Sequence, residues 1–129
     1  MLAIDALALP AERAVLRLAG ELDLLSCGRL RDALNAELGA GRTWLVLDVA
    51  DLAFLDSSGM SVLVEFSKKT SRAGGQLALA GLQPQPARVL KIAGLDRRIP
   101  VYATTGGAVA ETAAAAGASP LVKGRGPAS

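Results

Sequence analysis

The sequence predicts an α/β domain: a mixed sheet of about five strands, with four helices packed mainly on one face. Three observations carry this. Short apolar segments of strand length are interleaved with longer stripes of helical period. Their order is β-β-α-β-α-β-α-β-α, an initial hairpin followed by strict strand–helix alternation. The chain has 129 residues, enough for one domain with a core that needs neither disulfides nor a structural metal. That core must be aliphatic, because 51% of the residues are hydrophobic and only 3% aromatic.

Leu2 to Leu9 is the first strand, with Leu2, Ile4 and Ala6 on one face, and Ala14 to Ala19 is the second, Arg17 breaking its apolar run. Pro10 to Arg13 joins them as a hairpin connection, and Gly20-Glu21-Leu22-Asp23 is expected to turn out of the sheet. Ser26 is placed to cap a helix running to about Leu38, with Cys27, Leu30, Leu34 and Leu38 as its apolar stripe. Cys27 is accordingly a small core residue, and Gly39 and Gly41 end the helix. Thr43 to Val49 is almost continuously apolar, as a strand covered on both faces is, so it belongs in mid-sheet.

After Asp51 to Leu55, the Asp56-Ser57-Ser58-Gly59 turn opens a second helix that runs to about Ala73, with Glu65 placed to pair with Lys69. Gly74-Gly75 stops it. Gln76 to Leu82 is the fourth strand, and Pro84 and Pro86 begin a third helix that ends at Gly94. Ile99 to Ala103 is a last short strand. Thr104 or Thr105 caps a final Ala-rich helix ending near Gly117. Residues 1–117 form the domain, and 118–129, rich in turn-formers and without periodicity, is expected to be a disordered tail.

Composition excludes several functions. Histidine is absent, which removes the commonest general base and metal ligand; with Cys27 as the single cysteine, neither an internal disulfide nor a Cys/His zinc site can form. No cofactor, metal site or catalytic residue is expected. No apolar run approaches the ~20 residues of a membrane span, and Met1 to Pro10 lacks the basic start of a signal peptide, so the expected location is the cytoplasm. The net charge of +2 conceals an asymmetry. Residues 1–56 hold nine acids and five bases, a net −4, whereas 57–129 hold three acids and nine bases, a net +6. The bases are scattered and aromatic stacking residues are scarce, so direct nucleic-acid binding is not expected; most of the bases are assigned to solvated helix faces.

Local chemistry makes Asp56-Ser57-Ser58-Gly59 a well-capped helix start. A hydrolase nucleophile elbow needs Gly-x-Ser-x-Gly, whereas Leu55 and Gly59 flank Ser57 by two residues, and no Ser-His-Asp triad exists without histidine. Ser-Lys chemistry has Lys68, Lys69 and Lys91 as formal candidates, of which Lys68 and Lys69 lie about three helical turns from Ser57 and point elsewhere. A Walker-type phosphate loop is missing too.

Taken together, Gly20-Glu21-Leu22-Asp23, Leu47-Asp48-Val49 and Leu52-Ala53-Phe54-Leu55-Asp56-Ser57-Ser58-Gly59-Met60 resemble the STAS domain of bacterial anti-sigma factor antagonists. Gly74-Gly75 and Ala93-Gly94-Leu95 fit the same pattern, and the resemblance spans residues 2 to 117. Met60, where the family commonly has Leu, and the C-terminal extension depart from it. The resemblance implies a partner-switching regulator of transcription. The unphosphorylated antagonist binds an anti-sigma factor that is also a serine protein kinase; the kinase phosphorylates Ser57, and a PP2C-type phosphatase reverses this. Asp23, Asp56, Ser58, Gly59 and Met60 are the implied partner-binding residues. Three alternatives accompany this expectation: a STAS subunit of a lipid-transporting ABC complex that binds its ATPase subunit, a stressosome-like scaffold component, and a cryptic nucleotide-binding or hydrolytic protein.

Overall fold

The computed structural model describes residues 1–116; the expected tail at 118–129 and Gly117 lie outside the described residues. In chain order the elements are β1 (Leu2–Leu9), β2 (Arg13–Leu22), α1 (Cys27–Gly39), β3 (Trp44–Leu55), α2 (Ser57–Arg72), β4 (Gln76–Ala80) and α3 (Pro84–Ile92). A 3-10 turn (Leu95–Arg97), β5 (Val101–Tyr102) and α4 (Thr105–Ala115) complete the order. The expected alternation of strands and helices is present; the 3-10 turn is the one addition.

The strands lie side by side in sequence order, with β1 antiparallel to β2 and every later pair parallel. This order explains the layering. Each crossover from β2 to β5 steps one strand in the same direction, and right-handed crossovers then put every connecting helix on the same face. Accordingly Leu30 and Leu34 of α1, Val62, Leu63 and Phe66 of α2 and Leu90 of α3 share one core with Leu16, Leu45, Leu47 and Leu79 of the sheet. Strand alternation sends Val46 to the opposite face, where it packs with Ala80 and with Ala108 of α4. Three helices therefore cover one face and α4 covers part of the other.

Two strands are longer than the pattern predicts, and both extensions build the edge that leads into Asp23 and Asp56. Gly20-Glu21-Leu22 does not turn out of the sheet; β2 continues through it, with register shifts near Arg17/Ala19 and Gly20/Glu21. Gly20 makes this possible. Its φ is +111°, and a Cβ there would lie 2.2 Å from the Met1 carbonyl oxygen. β3 likewise continues past Val49 to Leu55, pairing Leu52 with Gly20 and Leu55 with Leu22. Its other side loses β4 after Asp48, the last paired residue. Glutamines at the start of α3 take over: Gln85 accepts from the Leu55 N–H at 2.9 Å and donates to the Leu55 carbonyl at 3.0 Å, and Gln83 donates to the Ala50 carbonyl at 2.7 Å.

Candidate functional site

The paired ends of β2 and β3 deliver two acids to one edge. The Asp56 N–H donates to the Leu22 carbonyl at 3.2 Å, so Asp23 and Asp56 each follow a residue of the same ladder step. Beyond that step the chain turns into α1 on one side and α2 on the other.

Asp56 is the N-cap of α2. Its backbone is extended, and its Oδ1 accepts from the Gly59 N–H at 3.1 Å. That leaves the Ser57 and Ser58 N–H groups at the open helix start, which has no intrahelical acceptors for them. Ser57 is exposed, Ser58 and Met60 are half-buried, and Gly59 is buried. Met60 packs against the edge of the main core. Gly59 has no side chain to present to a partner. Its contribution is space: a Cβ would lie 2.7 Å from Leu22 Cγ, 2.9 Å from the Leu22 carbonyl oxygen and 2.6 Å from Leu55 Cδ1.

Ser26 holds the N-cap position of α1 but makes no side-chain cap bond; the side-chain cap comes from Asp23, on the turn that leads into the helix. Oδ1 of Asp23 accepts from the backbone N–H of Leu25 and of Ser26, both at 3.1 Å. In return Ser26 Oγ accepts from the Asp23 N–H at 3.0 Å, and the Cys27 N–H closes a helical turn onto the Asp23 carbonyl at 2.8 Å. This is a reciprocal capping box read from Asp23 to Ser26; Ser26 itself makes no side-chain N-cap bond. The single proton of the Ser26 hydroxyl serves either the Glu21 carbonyl at 2.8 Å or Asp23 Oδ1 at 3.0 Å. The expected cap position is thus found at Ser26, while the capping carboxylate is that of Asp23, signalled by the Asp-x-x-Ser spacing.

This box presents Leu24 and Leu25 to solvent, 71% and 92% exposed, beside Asp23. Neither was singled out from the sequence, where both fall between the expected turn at Asp23 and the expected cap at Ser26. Among the described residues no cluster of three or more His, Cys, Asp or Glu side chains could hold a metal ion. Lys69 turns away from the edge, to Glu65 at 3.0 Å. The site therefore offers backbone donors, an exposed hydroxyl, two acids and an apolar loop.

Two predictions arise here. The hydrogen bond from the Ser26 hydroxyl, aided by the Ser26 and Leu25 N–H groups, holds the Asp23 carboxyl below its ordinary value against a smaller opposing effect of burial. A folded-state pKa lowered in this way stabilises the loop above the ordinary carboxylate range, and the gain is lost as pH falls through the folded value. Amide exchange at Leu25 and Ser26 should accelerate over that acidic window in the native protein, and Asp23→Asn should flatten the dependence. For Asp56, Asp56→Asn should preserve the cap, whereas Asp56→Ala should cost about 1 kcal/mol, measured by urea unfolding.

Fold and edge together define a single-sheet α/β domain that presents one serine-bearing helix start between capped acidic turns. The STAS domain model matches residues 7–108. The chain belongs to the STAS domain family. It is 30% identical over 89 residues to the anti-sigma F factor antagonist of Paenibacillus polymyxa, covering 68% of this chain and 76% of that one. It is 35% identical over 94 residues to the anti-sigma-B factor antagonist of Bacillus subtilis, covering 71% and 84%. In three dimensions it is similar to an anti-sigma factor antagonist from Mycobacterium paratuberculosis, with a TM-score of 0.79 at 23% identity over 87% of this chain and 94% of that one.

Proposed function

We propose that the protein is an anti-sigma factor antagonist, a partner-switching regulator that acts by binding rather than by catalysis. Unphosphorylated, it binds an anti-sigma factor and frees the sigma factor; phosphorylation of Ser57 by that partner's serine kinase activity releases it, and a PP2C-type phosphatase restores binding. The cytoplasm, where sigma factors act, is the compartment this reading requires. Among the described residues no helix is long and apolar enough to cross a membrane.

One observation carries the reading. The exposed Ser57 stands at an open helix start, bonded through Asp56 to the strand end that leads into Asp23 and the exposed leucines. A surface that docks there must cover Ser57, so a phosphate of about −1.5 to −2 charge meets the partner rather than the domain's own core. The helix start tolerates that charge, because the macrodipole favours it by ~0.3–1 kcal/mol.

The test is partner exchange. Added to a purified complex of the cognate sigma and anti-sigma factors, the unphosphorylated protein should displace sigma, read by size-exclusion chromatography and by restored sigma-dependent transcription. Binding to a transporter ATPase subunit with no displacement of sigma would favour the ABC-complex alternative.

A further inference from the structure

The basic half of the chain is not consumed by the edge at Ser57. On the far half of α2 the structure gathers part of it. A groove of about 460 Å³ is lined by Ser67, Lys68, Ser71, Arg72 and Arg98. An adjoining hollow shares Ser67, Ser71 and Arg98 and continues to Gly75 and Pro100. No carboxylate lines either one.

Sequence spacing and packing explain the segregation. Residues 67, 68, 71 and 72 lie four apart in two pairs and so form one flank of the helix. The only acid of α2, Glu65, is on the adjoining flank, three residues before Lys68, but it is held by Arg31 and Lys69, each at 3.0 Å, and does not line the groove. The ion pairs among the described residues use the Met1 ammonium, Arg17, Arg31, Arg42 and Lys69 and leave Lys68, Arg72 and Arg98 without a carboxylate partner. Asp96, on the same connection as Arg98, is not part of the lining. The backbone under Arg98 is fixed: its N–H and that of the buried Ile99 both donate to the Leu95 carbonyl, at 3.0 and 2.9 Å.

The negative end of the α2 dipole opposes an anion here, but that end is capped. The N–H groups of Ala73, Gly74 and Gly75 satisfy the carbonyls of Lys69, Thr70 and Ser71, which reduces the exposed partial charge.

We propose that this groove binds a compact phosphate-bearing small molecule. Two guanidiniums suit the paired oxygens of a phosphoryl group, the ammonium adds charge without directional demand, and two hydroxyls can donate to the remaining oxygens. The groove is open to solvent and most of its lining is exposed, so it suits a small, highly charged ligand held at the surface. Its lining contains no aromatic residue on which a nucleic-acid base would stack. Ser67 lies ten residues along α2 from Ser57, ~15 Å at the helical rise, so the assignment stands or falls independently of the switch at Ser57.

The experiment is an NMR titration of the ¹⁵N-labelled full chain with pyrophosphate at low ionic strength, and separately with citrate as a carboxylate anion of similar charge. Pyrophosphate should saturate at about 1 mM or tighter, shifting the Ser67, Ser71 and Arg98 amides and the Arg72 and Arg98 side-chain Nε signals. Arg98→Ala, an exposed substitution, should weaken binding about tenfold, with an unchanged circular dichroism spectrum. Non-saturating shifts, shifts confined to Ser57 and Ser58, or citrate binding as tightly as pyrophosphate would each overturn the assignment.

Discussion

Ser57→Asp should bind the anti-sigma factor about 30- to 1,000-fold more weakly than the native protein while unfolding at the same urea midpoint or slightly above it. The two halves of this result have different physical origins. At the interface, an uncompensated charge covered by the docked partner adds a desolvation cost, and repulsion with any partner acid it faces, of ~2–4 kcal/mol, which converts to that range of affinities. Within the domain the same charge sits at the first helical position, where the macrodipole favours it by ~0.3–1 kcal/mol. Ser57→Ala should keep native affinity and be blind to the kinase. Aspartate carries less charge than a phosphate, so the phosphorylated protein should bind more weakly still. Surface plasmon resonance with the immobilised anti-sigma factor, paired with urea unfolding, reads both halves.

Gly59→Ala carries the largest expected effect on the fold of the site. In a helix interior, replacing glycine by alanine ordinarily gains ~0.5–1 kcal/mol. At Gly59 the new Cβ would lie 2.7 Å from Leu22 Cγ and 2.9 Å from the Leu22 carbonyl oxygen. The Leu22 side chain can shift; its carbonyl cannot, because it accepts the Asp56 N–H that ties the two strand ends. Overpacking of this kind costs ~1–3 kcal/mol and should exceed the helical gain. The net expectation is a loss of ~1–2 kcal/mol, together with a separation of α2 from β2 that weakens partner binding. Gly28→Ala is the matched control: it lies in α1 with nothing within 4 Å of its added Cβ and should stabilise by ~0.5–1 kcal/mol. Opposite signs for the two substitutions in one unfolding series would establish that space at Leu22, rather than helix propensity, requires glycine at 59.

Much of this molecule is legible in its sequence because its local signals agree with its topology. Asp56 reads as a cap and is one; Glu65 reads as the partner of Lys69 and is found there. The alternation of strands and helices is in the sequence; four helices were expected mainly on one face, and three lie there with α4 on the other. What was missed lies where long-range backbone pairing overrides local preference. Gly20 looks like a turn residue, yet its left-handed φ carries β2 past the Met1 carbonyl and on to Leu22. Ala50 and Asp51 interrupt an apolar run, yet β2 holds β3 extended through them. That Asp23, rather than Ser26 at the N-cap position, supplies the capping side chain follows from the longer β2, since a strand that ends at Leu22 puts Asp23 in the turn before the helix. These errors share a cause: each requires knowing that the ends of β2 and β3 are paired, which no window of local sequence contains. The same pairing brings Asp23 and Asp56 to one edge.

The central claim is that Ser57 is the switch. Incubation with the cognate anti-sigma kinase and ATP, followed by mass spectrometry of residues 51–67 and a binding assay on the product, tests it most directly. The account predicts one phosphate, located on Ser57, and loss of binding to the anti-sigma factor with an unaltered circular dichroism spectrum. A phosphate on Ser58 instead, or full affinity retained with Ser57 quantitatively phosphorylated, would contradict it.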